Sequence, residues 1–223
     1  MEAPWAIIDE NLDMPLTFTW GSEIPTIGPN YEKWAENLKR LDSAGYILIL
    51  RSYFFRDEAG SVEDGKRLGL KRVNKIIEQL EISKDRVMIE VIPTNVIADV
   101  RSHPIESIKF EAIERRDILK INRDSMELCF PLKDSFQLPG NIYDEFVNWV
   151  ALHAGRKEGI TYLTGTADGT GISESSEMGW DRALSIKREL ISHGWSDENI
   201  QISTEQRNSL KGIQNRCVMI KFE

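Results

Sequence analysis

The stretch Gly165-Thr166-Ala167-Asp168-Gly169-Thr170-Gly171, followed by Trp180-Asp181-Arg182-Ala183, decides how this chain is interpreted. An apolar run over residues 160–164 precedes it, and apolar residues at helical spacing follow over 176–193. The glycine-rich segment is therefore predicted to be a loop at the carboxyl end of a buried strand, just before a helix. Ligands often bind at that position in α/β sheets. A tight turn that needs glycine for positive φ is the simpler alternative.

This segment closes a unit that the sequence predicts to be present twice. Two matches share an offset of 112 residues (130 − 18 and 143 − 31): Leu16-Thr17-Phe18 with Leu128-Cys129-Phe130, and Tyr31-Glu32-Lys33-Trp34 with Tyr143-Asp144-Glu145-Phe146. Arg72 matches Arg182 at an offset of 110 (182 − 72). Such a slowly drifting offset is typical of a duplicated domain with small changes in its loops. We therefore predict two domains, residues 1–115 and 116–223.

Both halves show the same predicted order of strand, helix, strand, helix, strand and strand. The first half has strands at 15–20, 46–50, 87–92 and 107–113 and helices at 31–41 and 62–80. The second half has strands at 126–131, 160–164, 200–203 and 217–222 and helices at 143–153 and 176–193. This order predicts an α/β sandwich with both helices on one face of a mixed sheet. The charged segment 114–117 is either a linker or a continuation of the preceding strand.

Net charge and the spacing of histidine and cysteine residues argue against several classes of function. The net charge of −8 and the lack of a basic stripe argue against a nucleic-acid surface. The three histidines are scattered and no CxxC or HxxxH spacing occurs, so neither a metal site nor a cofactor is predicted. Cys129 and Cys217 lie in apolar runs, and we expect two buried thiols that act as small hydrophobes. No signal peptide and no membrane span are predicted.

Residues 160–222 resemble the OmpA-like domain, the peptidoglycan-binding module of outer-membrane and motor-anchoring proteins. The family reads Gly-His-Thr-Asp after its central strand, then Arg-Ala in the next helix and Asn-Arg-Arg-Val in the closing strand. Here the corresponding residues are Gly165-Thr166-Ala167-Asp168, Arg182-Ala183 and Asn215-Arg216-Cys217-Val218. With the strand at 126–131, the resemblance covers most of residues 126–223.

The resemblance implies a ligand site for the diamino acid of the peptidoglycan stem peptide. Asp168 would accept from its ammonium and Arg182 would donate to its carboxylate, a pairing suited to a zwitterion. We expect the two side chains to share a solvent-accessible pocket beside Gly169 and Gly171, with Thr166, Asn215 and Arg216 around it. The alternative is an ordinary ion pair that holds the loop to the helix. Thr166 stands where the family has His and Cys217 where it has a second Arg, so polar groups of the site are lost.

The first half keeps Arg72 but has Tyr53-Phe54-Phe55 where the acidic loop is expected. No carboxylate is predicted to meet an ammonium there. Three adjacent aromatic residues cannot all point inward from one strand, so this segment is a candidate surface for a protein partner.

Two functions follow from these predictions. The first is a non-catalytic envelope module that binds peptidoglycan through the second half. The second is a scaffold that keeps the fold and serves only protein–protein contacts. An enzyme is disfavoured because no Ser-His-Asp, Cys-His or paired-carboxylate arrangement falls at an active-site loop. The expected location is the periplasm or cell envelope if an export or anchor segment has been removed, and otherwise the cytoplasm.

Overall fold

The chain is described by a computed structural model that covers residues 15–94, 107–130, 138–169, 175–207 and 212–223. The chain divides into two compact units, residues 1–113 and 114–223. No helix in the described ranges is both long and apolar enough to cross a membrane.

The N-terminal unit contains a small mixed sheet in which β3 is central. Its elements are β1 (Leu16–Phe18), β2 (Pro25–Ile27), α1 (Tyr31–Ser43), β3 (Ile47–Phe55), α2 (Val62–Leu80), β4 (Val87–Thr94) and β5 (Ile108–Ile113). The strand β3 pairs in parallel with β4 and antiparallel with β5, whereas β1 pairs with β2 in a separate two-stranded sheet. Leu48 and Leu50 of β3 pack against both helices, so α1 and α2 cover the same face of the sheet.

The C-terminal unit extends the same arrangement to five strands, in the order β6-β7-β10-β8-β9. Its elements are α3 (Arg115–Ile118), β6 (Leu119–Ile121), β7 (Ser125–Cys129), α4 (Gly140–Leu152), β8 (Thr161–Asp168), α5 (Ser176–Ser192), β9 (Ile200–Arg207) and β10 (Cys217–Phe222). Trp149 of α4 stacks on Phe222 with ring centroids 4.8 Å apart, and Tyr143 donates to Glu189 of α5. The predicted α/β class with helices on one face of a mixed sheet is confirmed.

The central strands of the two units have the same register. Leu48 lies opposite Val87 in the first unit, and Thr161 opposite Ile200 in the second, an offset of 113 in each strand (161 − 48 and 200 − 87). On the antiparallel side Leu48 faces Ala112 and Thr161 faces Phe222, an offset of 110 (222 − 112). This shared register supports the predicted tandem repeat, which we propose on this basis.

Three details differ from the sequence predictions. Both central strands are longer than expected, because β3 and β8 continue their parallel pairing to Phe55 and Asp168. Gly165 to Asp168 therefore belong to a strand rather than to a loop. The segment after residue 113 is neither a linker nor a strand but begins the short helix α3.

Candidate functional site

Two glycines bring helix α5 unusually close to strand β8. A Cβ atom on Gly165 would overlap the carbonyl oxygen of Gly179, and one on Gly179 would lie 3.0 Å from the carbonyl oxygen of Gly165. Glycine at both positions removes this clash and lets the helix backbone rest on the strand. The close approach places Arg182, three residues further along α5, beside the last residues of β8.

Four of the predicted site residues are linked there by hydrogen bonds. The Nη1 of Arg182 donates to the carbonyl oxygen of Thr166 at 3.0 Å. The Nδ2 of Asn215 donates to the Oδ1 of Asp168, also at 3.0 Å. The Thr166 hydroxyl lies 2.9 Å from the carbonyl oxygen of Asn215 and accepts from the backbone N–H of Cys217 at 2.7 Å. We call Thr166, Asp168, Arg182 and Asn215 the polar cluster.

The remaining predicted residues border the polar cluster or lie outside the described chain. Arg216 follows Asn215 and is buried, and its carbonyl oxygen accepts from the backbone N–H of Phe130 at 2.8 Å. The backbone N–H of Gly169 donates to the carbonyl oxygen of Arg207. Gly171 lies outside the described residues.

The polar cluster is more deeply buried than predicted. Arg182, Thr166 and Asn215 have no exposed surface, and Asp168 is 7% exposed. The expectation of a solvent-accessible Asp168 and Arg182 is therefore wrong for this structure. The reason is the glycine contact, which leaves little space between α5 and the strand that supports the cluster. Substitutions that remove the hydrogen bonds of these side chains are consequently expected to affect folding.

A disulfide fixes the strand that follows the cluster, where the sequence predicted two free thiols. Cys129 of β7 and Cys217 of β10 lie directly opposite each other and are bonded. Both are buried, as expected, but neither acts as a free hydrophobic thiol. The apolar surroundings of the two cysteines predicted their burial correctly, whereas their pairing depends on the register of β7 and β10.

An ion-pair network lies beside the end of β8. Arg207 of β9 is the parallel register partner of Asp168, and its guanidinium contacts Glu127 and Glu205 at 2.7 Å each. Lys120 contacts the other oxygen of Glu127, also at 2.7 Å. Burial alone would raise the pKa of Glu127, but the hydrogen bonds from Lys120 and Arg207 outweigh burial and lower this pKa.

The aromatic segment of the N-terminal unit is less accessible than predicted. Phe54 is fully buried under α2, where a Cβ atom on Gly65 would overlap its ring. Phe54 is therefore not part of a free partner surface. Phe55 is half-buried and stacks on Trp20 with ring centroids 5.4 Å apart. Tyr53 is also half-buried, and burial raises the pKa of its phenol.

One buried carboxylate in the N-terminal unit was not predicted from the sequence. Glu58, three residues beyond β3, forms an ion pair with Arg72, and both side chains are fully buried. The sequence prediction concerned only an acid that would meet a ligand's ammonium, and it did not consider Glu58, which meets Arg72 instead. A polar turn after a strand gives no indication of which acidic side chain folds inward. Arg72, an arginine that the first half retains without an evident acidic partner, was the one feature of the sequence that could have indicated such an acid.

No metal-binding group of three or more His, Cys, Asp or Glu side chains occurs in the described parts of the chain. The polar cluster offers instead one carboxylate, one guanidinium, one amide and one hydroxyl. This set can bind a small charged ligand or can hold the strands and α5 together.

No family model matches the sequence, and no curated protein matches it. Solved structures that resemble the chain include the periplasmic domain of Helicobacter pylori MotB, with 15% identity and a TM-score of 0.35 over 47% of this chain and 79% of that one. The peptidoglycan-associated lipoprotein from Burkholderia pseudomallei has 17% identity and a TM-score of 0.34 over 44% and 89%. The OmpA-like domain of FopA1 from Francisella tularensis has 17% identity and a TM-score of 0.33 over 47% and 80%.

Proposed function

We propose that this chain is a non-catalytic module of the cell envelope and that its C-terminal unit binds the stem peptide of peptidoglycan. The observation that carries the proposal is the polar cluster. It joins Thr166, Asp168, Arg182 and Asn215, which the sequence motif singles out, at the carboxyl end of the central parallel strand. The support comes from these side chains and not from the overall likeness to solved structures.

The cluster has the chemistry that a zwitterionic diamino acid requires. Asp168 supplies an anionic acceptor for an ammonium group, and Arg182 supplies a planar guanidinium for a carboxylate. Burial strengthens both interactions because the local dielectric is low. Since Arg182 has no exposed surface, the proposal requires the cluster to open when the ligand enters.

The disulfide supports a location in an oxidising compartment. Disulfides persist in the periplasm and at cell surfaces and are rare in the cytosol, where thiols are kept reduced. The Cys129–Cys217 bond joins β7 to β10 and is buried. We therefore propose the periplasmic side of the envelope as the place where the protein works.

A scaffold without peptidoglycan binding is the second candidate. The observation that favours it is the complete burial of Arg182 and of its counterpart Arg72. A buried arginine that is bonded within its own unit stabilises the fold and needs no ligand. In this case the units present surfaces to protein partners, and the polar cluster is purely structural.

Titration calorimetry with a stem peptide that contains the diamino acid separates the two candidates. The Asp168→Asn variant removes the charge but keeps an oxygen that accepts from Asn215, so folding should be retained. Loss of the charge-assisted bond is worth about 1.5–3 kcal/mol, and we expect affinity to fall about ten- to hundredfold. The matched control is Asp181→Asn, because Asp181 is an exposed aspartate on α5, next to Arg182 in the sequence.

Each result has a clear meaning. Peptide binding by the wild type and by Asp181→Asn, with weak binding by Asp168→Asn, supports the proposal. If the wild-type protein does not bind millimolar peptide, the scaffold function replaces it. Thermal melts of all three proteins show whether a loss of binding reflects a loss of fold.

A further inference from the structure

Four nitrogen donors converge on the carboxylate of Glu58 in the N-terminal unit. Arg72 donates from Nη2 to Oε1 and from Nη1 to Oε2, the latter at 3.4 Å. The backbone N–H of Gly21 donates to Oε1 at 3.0 Å, and that of Phe55 donates to Oε2 at 3.1 Å. We call this set of donors the Arg72 cradle.

The cradle is complete as an anion site. A carboxylate has about four lone-pair positions, and these donors match that number. The guanidinium is held in place from its other side, because Nε donates to the carbonyl oxygen of Ser22 at 2.8 Å and the group lies 4.9 Å from the ring centre of Phe18. These contacts hold the guanidinium in place independently of Glu58.

Glu58 reaches this cradle from the surface. Its neighbours Arg56 and Asp57 are exposed, and the chain remains largely exposed from Gly60 to Asp64. Glu58 is the buried member of this turn, since its side chain has no exposed surface. A carboxylate that enters from an exposed turn occupies a position that a free carboxylate could reach if the side chain were removed.

We infer that the Arg72 cradle is a carboxylate-binding site that the chain fills with its own Glu58. The side chain acts as a tethered ligand and excludes external carboxylates from the N-terminal unit. This inference goes beyond the proposed function and does not depend on it, because it concerns the other unit and holds whether or not the C-terminal unit binds peptidoglycan.

Chemical rescue of the full-length Glu58→Ala variant tests the inference. Alanine retains Cβ, so the deleted atoms correspond in size and charge to acetate. We expect Glu58→Ala to be less stable than wild type and acetate to raise its melting temperature in a saturable way. At about ten times the dissociation constant of acetate, the rise should be roughly 3–8 °C.

Matched ligands and variants show whether the effect is specific. Acetamide has the same shape without the charge, and chloride at equal ionic strength has the charge without the shape, so neither should stabilise the variant. Glu23→Ala removes a partly exposed acid that pairs with Lys71 on the same helix as Arg72, and acetate should not affect the melting temperature of this variant. In Glu58→Ala/Arg72→Met the acetate effect should disappear.

Two results would overturn the inference. One is equal stabilisation by acetate, acetamide and chloride, and the other is no response to acetate at any concentration. If Glu58→Ala does not fold in chloride, the yield of refolding in acetate is measured against that in acetamide. Equal refolding yields in acetate and acetamide would then contradict a carboxylate site, just as a melting temperature that does not change with acetate would.

Discussion

Four carboxylates are buried in the described parts of the chain, and each accepts a hydrogen bond from a nitrogen donor: Glu58 from Arg72, Glu90 from Arg51, Glu127 from Lys120 and Arg207, and Asp168 from Asn215. Partners of this kind are needed because a buried charge without them is strongly destabilising. Glu58 accepts from a guanidinium and from backbone N–H groups, and the amide of Asn215 is one of the donors to Asp168.

Glu127 should make stability depend on acid pH. Its folded-state pKa is lowered, so its stabilising contribution is present above its ordinary pKa of 4.5 and is lost as pH falls through the folded-state value. We expect Glu127→Gln to be less stable than wild type at neutral pH, with the difference shrinking steadily below about pH 4.5. Denaturant unfolding at several pH values measures this difference.

The control is Glu198→Gln, because Glu198 is exposed and forms no ion pair with any residue of the described ranges. Its difference from wild type should be small at every pH. A difference for Glu127→Gln that stays constant from neutral to acid pH would show that Glu127 contributes through its shape alone.

At the scale of elements, Gly165 and Gly179 determine how closely α5 packs on β8. A Cβ atom at Gly165 would meet the Gly179 carbonyl oxygen, which belongs to the helix backbone and cannot turn aside as a flexible side chain does. We expect Gly165→Ala to destabilise the C-terminal unit by about 1–3 kcal/mol through overpacking. Gly179→Ala should cost less, since its nearest contact is at 3.0 Å.

Gly155→Ala is the matched control for this pair. No atom lies within 4 Å of a Cβ built on Gly155, so its stability should remain close to wild type. Denaturation midpoints of the three variants give the comparison. Equal effects at Gly155 and Gly165 would mean that the close approach of α5 and β8 does not limit packing.

The helices were predictable from the sequence because their apolar stripes are continuous. The second helix was predicted over 62–80 and is observed at Val62–Leu80. Strand lengths were harder, since the small and polar residues Gly165-Thr166-Ala167 end the apolar run while pairing with β9 continues. The membership of the polar cluster followed from the motif, but its burial did not, because burial depends on how closely α5 approaches.

Glu58 and the disulfide show the other limit of sequence reasoning. Both depend on contacts between residues far apart in the chain: Glu58 meets Gly21, and Cys129 meets Cys217. Hydrophobic periodicity indicates on which face of its helix or strand a residue lies, but it does not indicate which distant residue lies opposite. The pairing becomes visible only once strand order and register are known.

At the scale of the whole molecule, the two units share a strand register, but the residues of the proposed ligand site lie in only one of them, which predicts a division of labour. The C-terminal unit, residues 114–223, contains the whole polar cluster and both cysteines. The N-terminal unit, residues 1–113, contains an arginine already bound by Glu58. We expect the C-terminal unit alone to sediment with purified cell-wall sacculi and the N-terminal unit to remain in the supernatant.

Each unit has its own buried core and is expected to fold separately, and circular dichroism of the two fragments checks this before sedimentation. The control is the C-terminal unit with Asp168→Asn, which should sediment less than the unchanged fragment because the ammonium acceptor has lost its charge. Equal sedimentation of both units would contradict the division of labour. Sedimentation of the C-terminal unit that Asp168→Asn leaves unchanged would place peptidoglycan binding on another surface of that unit, since the charge at the end of β8 would then have no part in it.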